Sequence, residues 1–88
     1  MKNYEIKVSG KVQKVGYRQS TKAEAEKLGV KGWVKNLEDG SVLIEAEGQE
    51  QVIKQLIEWC RKGPLFSNVK DVTFTDGEVK SYVSFDIK

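Results

Sequence analysis

The hydrophobic period of this chain alternates between two residues and about 3.6. Two stretches of helical period are each enclosed by stretches of strand period, an order few architectures accept. Tyr4, Ile6 and Val8 alternate with Glu5, Lys7 and Ser9, the pattern of a strand with one buried face. A polar, glycine-flanked stretch follows from Gly10 through Gly16. Between Tyr17 and Leu28, the residues Tyr17, Thr21, Ala25 and Leu28 fall on one helical stripe, with Gly29 placed to end it. Gly32 to Leu37 reads as a strand, and Val42, Ile44 and Ala46 alternate with Leu43, Glu45 and Glu47 in the next. Between them, Glu38-Asp39-Gly40 is a hairpin signal, because glycine accepts the positive φ of a tight turn. Val52, Ile53, Leu56, Ile57, Trp59 and Cys60 then form the broad apolar stripe of a second helix, closed by Gly63-Pro64. Val72 with Phe74, and later Val83, Phe85 and Ile87, predict two further strands flanking a turn at Asp76-Gly77.

Strand, helix, strand, strand, helix, strand and a final strand make two strand-helix-strand units. Right-handed crossovers place both helices on the same face of one antiparallel or mixed sheet. The expected class is therefore α+β, a split βαβ or ferredoxin-like sandwich. With 88 residues and 10.0 kDa, the expectation is one domain spanning residues 1–88, with little chain to spare for lids. Many unrelated functions use this fold, so function must come from particular residues.

Composition removes several chemistries. There is no histidine, hence no His-dependent triad and none of the commonest general base or metal ligand. Cys60 is the only cysteine, so no disulfide closes within the chain, and a lone thiol suits a reducing compartment. Met1 to Lys11 alternates instead of forming an apolar run, which predicts a cytoplasmic protein without a membrane span. A net charge of +2, from 15 Lys and Arg against 13 Asp and Glu, is too small to imply nucleic acid.

Gly10-Lys11-Val12-Gln13-Lys14-Val15-Gly16-Tyr17-Arg18 carries the most chemical information. It joins the first strand to the first helix, where backbone N–H groups lack intrahelical acceptors and the helix dipole adds partial positive charge. Anions bind such junctions, and the Arg18 guanidinium is suited to grip two oxygens of a phosphate. This much makes a candidate phosphate site of moderate specificity.

The segment resembles the acylphosphatase signature, Gly-x-Val-Gln-Gly-Val-x-Phe/Tyr-Arg, at Gly10, Val12, Gln13, Val15, Tyr17 and Arg18. Gly32-Trp33-Val34-Lys35-Asn36-Leu37-Glu38-Asp39-Gly40-Ser41-Val42 is similar to the second motif of that family, and the similarity continues through Gly48, Gly63-Pro64, Val69, Val72 and Phe85-x-Ile87. It implies an enzyme that hydrolyses acyl phosphates to carboxylate and inorganic phosphate by direct water attack. The same resemblance implies no metal or cofactor, and the enzyme is expected to be monomeric. Arg18 would bind the phosphoryl group, the amides of Gln13, Lys14, Val15, Gly16, Tyr17 and Arg18 would cradle its oxygens, and Asn36 would hold the water. Lys14 departs from the family, which usually has glycine there. Lysine there either carries a strain of roughly 1 to 2 kcal/mol at positive φ or imposes a different loop geometry, while its ammonium attracts phosphate.

Plainer roles compete for several of these residues. Arginines in a first helical turn are usually solvated or ion-paired, and asparagines at strand ends often bond a neighbouring turn. It is the pairing of two motifs that favours chemistry at Arg18 and Asn36. Gln13 either lines the loop or satisfies backbone groups. Asp39-Gly40 reads as structural, Trp33, Trp59 and Tyr82 as packing, and Cys60 as buried. Glu45 and Glu47 share one strand face and read as solvated. Ser41 to Glu47 is acidic and lacks aromatics, which argues against an RNA-binding sheet. The alternative that survives is a non-catalytic module that binds phosphate through the same loop.

Overall fold

A computed structural model describes residues 1–88. Its elements run β1 (Lys2–Lys11), α1 (Tyr17–Leu28), β2 (Lys31–Asn36), β3 (Val42–Gly48), α2 (Glu50–Lys62), β4 (Asn68–Gly77) and β5 (Phe85–Ile87). The strands form one sheet in the order β4-β1-β3-β2-β5. β3 pairs antiparallel with both β1 and β2, and β5 joins β2 in parallel, so the sheet is mixed and the ferredoxin-like expectation holds. Val8 lies opposite Val42, and Val42 opposite Asn36, so the C-terminal ends of β1 and β2 come to the same end of the sheet.

One face of the sheet carries the core. Ile6, Val8, Val34, Val42, Ile44 and Ala46 are buried there against Tyr17, Thr21 and Ala25 of α1 and Ile53, Leu56, Ile57 and Cys60 of α2. The period-two and period-3.6 stripes thus meet as the sequence predicts. Burial pushes the Cys60 thiol up to about 12, which keeps it a small apolar packing group.

The second half of the sheet departs from the sequence reading in two places. Asp76 and Gly77 form no turn between adjacent strands: β4 continues through Gly77, and β5 lies at the opposite edge. Gly77 stands opposite Asn3, where a Cβ would come within 2.5 Å of Asn3 Oδ1, so glycine serves a close strand contact instead. Val83, expected in the last strand, lies in the crossover from β4 to β5 and is 87% exposed.

Glu45 and Glu47, expected to be solvated, are buried at 5% and 1% exposure. The reason is the 78–84 crossover, which caps the sheet face away from the helices. Glu47 accepts from the Lys80 and Tyr82 backbone N–H groups, Glu45 accepts from Lys80 Nζ at 2.6 Å, and Asn3 Nδ2 donates to both carboxylates at 2.9 Å. Trp33 Nε1 donates to the Tyr82 hydroxyl at 3.1 Å, so these aromatics do more than pack. Burial pushes both carboxyl groups upward, but the hydrogen bonds and the Lys80 charge outweigh it and hold each below the ordinary 4.5.

A carboxyl group depressed on folding contributes stability above its unfolded value and loses it as pH falls through the folded value. Around the pair stand Glu5 opposite Glu45, Lys31 opposite Glu47, and Lys80 and Tyr82 from the crossover. The denaturant midpoint should therefore fall as pH drops below 4.5. Glu47→Gln should cost about 1 to 3 kcal/mol at pH 7, because an amide donor then meets other donors, and should flatten the acid limb of the midpoint-against-pH curve.

Candidate active site

The β1–α1 loop and the end of β2 enclose a cavity of about 110 Å³. A single water needs about 10 to 15 Å³, so a tetrahedral anion and a water fit together. Lys14, Gly16, Tyr17, Arg18 and Gln19 supply one wall, Asn36 another, and Val12 and Ile87 the apolar remainder. Two cationic side chains and no carboxylate line it, which favours an anionic ligand.

The loop's conformation follows from its sequence. Gly16 takes φ 77° as the cap residue of α1, a left-handed conformation natural to glycine. A Ser, Thr or Asp cap would turn its own oxygen onto the first helical amides; Gly16 has none, and no acidic residue stands in the first turn. Consequently the backbone N–H groups of Gln13 to Gln19 donate to no acceptor within the protein. Lys14 adopts φ 63°, so of the two outcomes its departure from glycine allowed the strained positive φ is the one observed, and its side chain stays exposed at the pocket.

Three side chains fix this loop against its surroundings. The buried Tyr17 hydroxyl donates to the Cys60 carbonyl at 2.8 Å, tying the start of α1 to α2; burial raises that phenol well above its ordinary 10.0. Gln13 Nε2 donates to the Leu37 carbonyl at 2.8 Å and the Ser41 carbonyl at 2.9 Å, so Gln13 satisfies backbone groups and does not line the pocket. It thereby joins the two sequence motifs, because Leu37 follows Asn36 directly. Arg18 Nη1 donates to the Lys88 main-chain oxygen at 3.3 Å. Asp39 is structural as expected: its carboxylate accepts from Ser41 N and Oγ and pairs with Lys7 Nζ at 3.0 Å, contacts that hold it well below the ordinary carboxylate range.

Asn36 Oδ1 is the one fully buried side-chain oxygen or nitrogen without a hydrogen-bond partner. Such a group costs about 1 to 3 kcal/mol unless water or ligand satisfies it. Asn36 itself lines the cavity, so a turn of its side-chain amide would bring this oxygen to a water molecule beside the loop amides. Of the predicted site residues, Lys14, Gly16, Tyr17, Arg18 and Asn36 meet at the cavity, while Gln13 and Val15 lie outside its lining. Val12, Gln19 and Ile87 line it without having been foreseen as site residues. Gln19 follows the Arg18 signal by one residue, whereas nothing local marks Ile87, which arrives on a distant strand.

Comparison with known proteins follows the same lines. The acylphosphatase family model matches residues 4–87. An acylphosphatase of Bacillus velezensis is 46% identical over 88 residues, covering 99% of this chain and 98% of that protein, and one of Methanocella arvoryzae is 41% identical over the whole of both. The crystal structure of acylphosphatase from Bacillus subtilis superposes with a TM-score of 0.97 at 39% identity, covering 100% of this chain and 99% of that one.

The loop geometry generates two expectations. Gln13→Ala should unfasten the loop from the β2–β3 turn, costing about 1 to 2 kcal/mol in denaturant stability and weakening inorganic phosphate binding by titration calorimetry. Lys14→Gly should relieve the positive-φ strain and change stability by no more than about 1 kcal/mol, yet weaken phosphate through the lost ammonium; unchanged affinity would show that Lys14 does not attract the ligand.

Proposed function

The chain belongs to the acylphosphatase family, and we propose that it hydrolyses the mixed anhydride of small acyl phosphates, releasing carboxylate and inorganic phosphate, through the β1–α1 loop and Asn36. The observation that carries this reading is the cavity itself, where Asn36, whose Oδ1 has no hydrogen-bond partner, stands opposite the loop of unpaired amides and Arg18. We propose further that residues 1–88 act as a single acylphosphatase-like domain, monomeric and cytoplasmic, the location in keeping with a lone, buried free thiol.

Phosphoryl transfer rests on positioning and electrostatic stabilisation more than on proton transfer. The phosphoryl oxygens sit against the free loop N–H groups and the Arg18 guanidinium, where developing charge meets donors fixed before the reaction begins. Asn36 Oδ1 accepts a hydrogen of the attacking water and turns an oxygen lone pair toward phosphorus. The new P–O bond forms as the bond to the acyl oxygen breaks, and that bonding pair departs with the carboxylate. Both hydrogens of the water end on the phosphate, one on the incoming oxygen and one on a phosphoryl oxygen. A carboxylate is a good enough leaving group to need no proton, which is consistent with a chain lacking histidine.

Benzoyl phosphate hydrolysis tests the proposal. Turnover by the parent protein should persist in chelator. Arg18→Ala and Asn36→Ala should each lower kcat/KM by about 100- to 1000-fold, the cost of losing a positioned donor or orienting group, with little loss of denaturant stability. Phosphate binding without turnover in the parent would favour the non-catalytic module.

A further inference from the structure

Glu47 plays no part in that chemistry, yet it is the most completely buried carboxylate and the centre of a polar cluster. Its two oxygens receive the Lys80 and Tyr82 N–H groups, and Ser81 between them is forced to φ 59°, a left-handed value that an exposed serine seldom takes unaided. One carboxylate thus dictates the backbone shape of the crossover. What the crossover delivers is β5, only Phe85–Ile87, paired on one side alone. An edge strand of this length has few ladder bonds of its own. It is held by Gly32 N donating to Ser84 O, Lys88 N donating to Val34 O, and Lys22 Nζ donating to Phe85 O. Ile87 then walls the cavity and Lys88 accepts from Arg18.

We propose that Glu47 is a positioning residue for the phosphoryl site: by pinning the crossover through Lys80 and Tyr82, it fixes the edge strand whose Ile87 walls the cavity and whose next residue, Lys88, accepts from Arg18. Without these two backbone bonds the crossover would keep only the side-chain contacts of Lys80 with Glu45 and of Tyr82 with Trp33, and the entropy of its backbone from Glu78 to Ser84 would oppose the short strand. With Lys80 and Tyr82 pinned, only Val83 and Ser84 separate the latch from β5. The guanidinium therefore takes its orientation from a carboxylate on the sheet's other face. This inference rests on reading the cavity as the phosphoryl site.

Three variants separate positioning from general destabilisation. Glu47→Gln weakens the latch. Ser81→Pro keeps the carboxylate but forbids positive φ at an exposed residue whose N–H is unpaired. Ile53→Val loosens the core away from the site. ¹H–¹⁵N spectra, including the Arg18 Nε–H signal, are recorded with and without inorganic phosphate, alongside benzoyl phosphate kinetics. Glu47→Gln and Ser81→Pro should both shift the Ile87, Lys88 and Arg18 signals. Both should raise the phosphate Kd and KM about tenfold with a smaller change in kcat, while Ile53→Val does neither. A folded Ser81→Pro or Glu47→Gln protein with those signals unmoved and Kd and KM within about twofold of the parent would overturn the proposal. A parent that neither binds phosphate nor turns over would refute the site reading itself. In that event the phosphate-free spectra of the variants alone decide whether the latch reaches Arg18.

Discussion

β3 lies between β1 and β2 and pairs antiparallel with both, and this placement is what the site depends on. It makes β1 and β2 parallel neighbours once removed, so that the loop leaving one and the asparagine ending the other arrive at the same end of the sheet. Val8, Val42 and Val34 are buried in that arrangement, and a one-residue slip would turn each away from the helices. Core packing therefore sets the register, and the register sets the cavity.

Within that frame, stability and function make opposite demands on hydrogen bonding. Buried polar groups are ordinarily satisfied, as Tyr17, Thr21 and Glu47 are here. Around the cavity this satisfaction is missing in two places, the loop amides of Lys14 and Gly16 to Gln19 and the buried Asn36 Oδ1. Donors on one wall and an acceptor on another match an anion and a water better than either alone. Surrounding contacts keep these groups from collapsing onto one another: Tyr17 is tied to Cys60, Gln13 to Leu37 and Ser41, and β5 is anchored by its crossover.

Local chemistry was legible in the sequence wherever it determined local structure. The apolar stripes of both helices, the Asp39-Gly40 turn and the loop approaching α1 all follow from neighbouring residues. Arg18 and Asn36 could be named because each lies in a motif, and their meeting follows from the strand order. Legibility failed where meaning depends on distant chain. Asp76-Gly77 has turn composition but ends an edge strand against Asn3, and Glu45 and Glu47 look solvated until the 78–84 crossover covers them. Gln13 was ambiguous because its acceptors, Leu37 and Ser41, come from the second motif. Ile87 carries no local mark of a cavity wall, since an alternating strand residue reads the same wherever its strand is placed.

The unpaired loop amides are the central physical claim, and titrating inorganic phosphate into ¹⁵N-labelled protein observes them directly. Saturable downfield shifts concentrated at Gln13 to Gln19, together with a response of the Asn36 side-chain amide, are the expected result. Shifts spread over surface lysines, or gathered instead around Gly10, Lys11 and Lys70 at the other sheet edge, would contradict it.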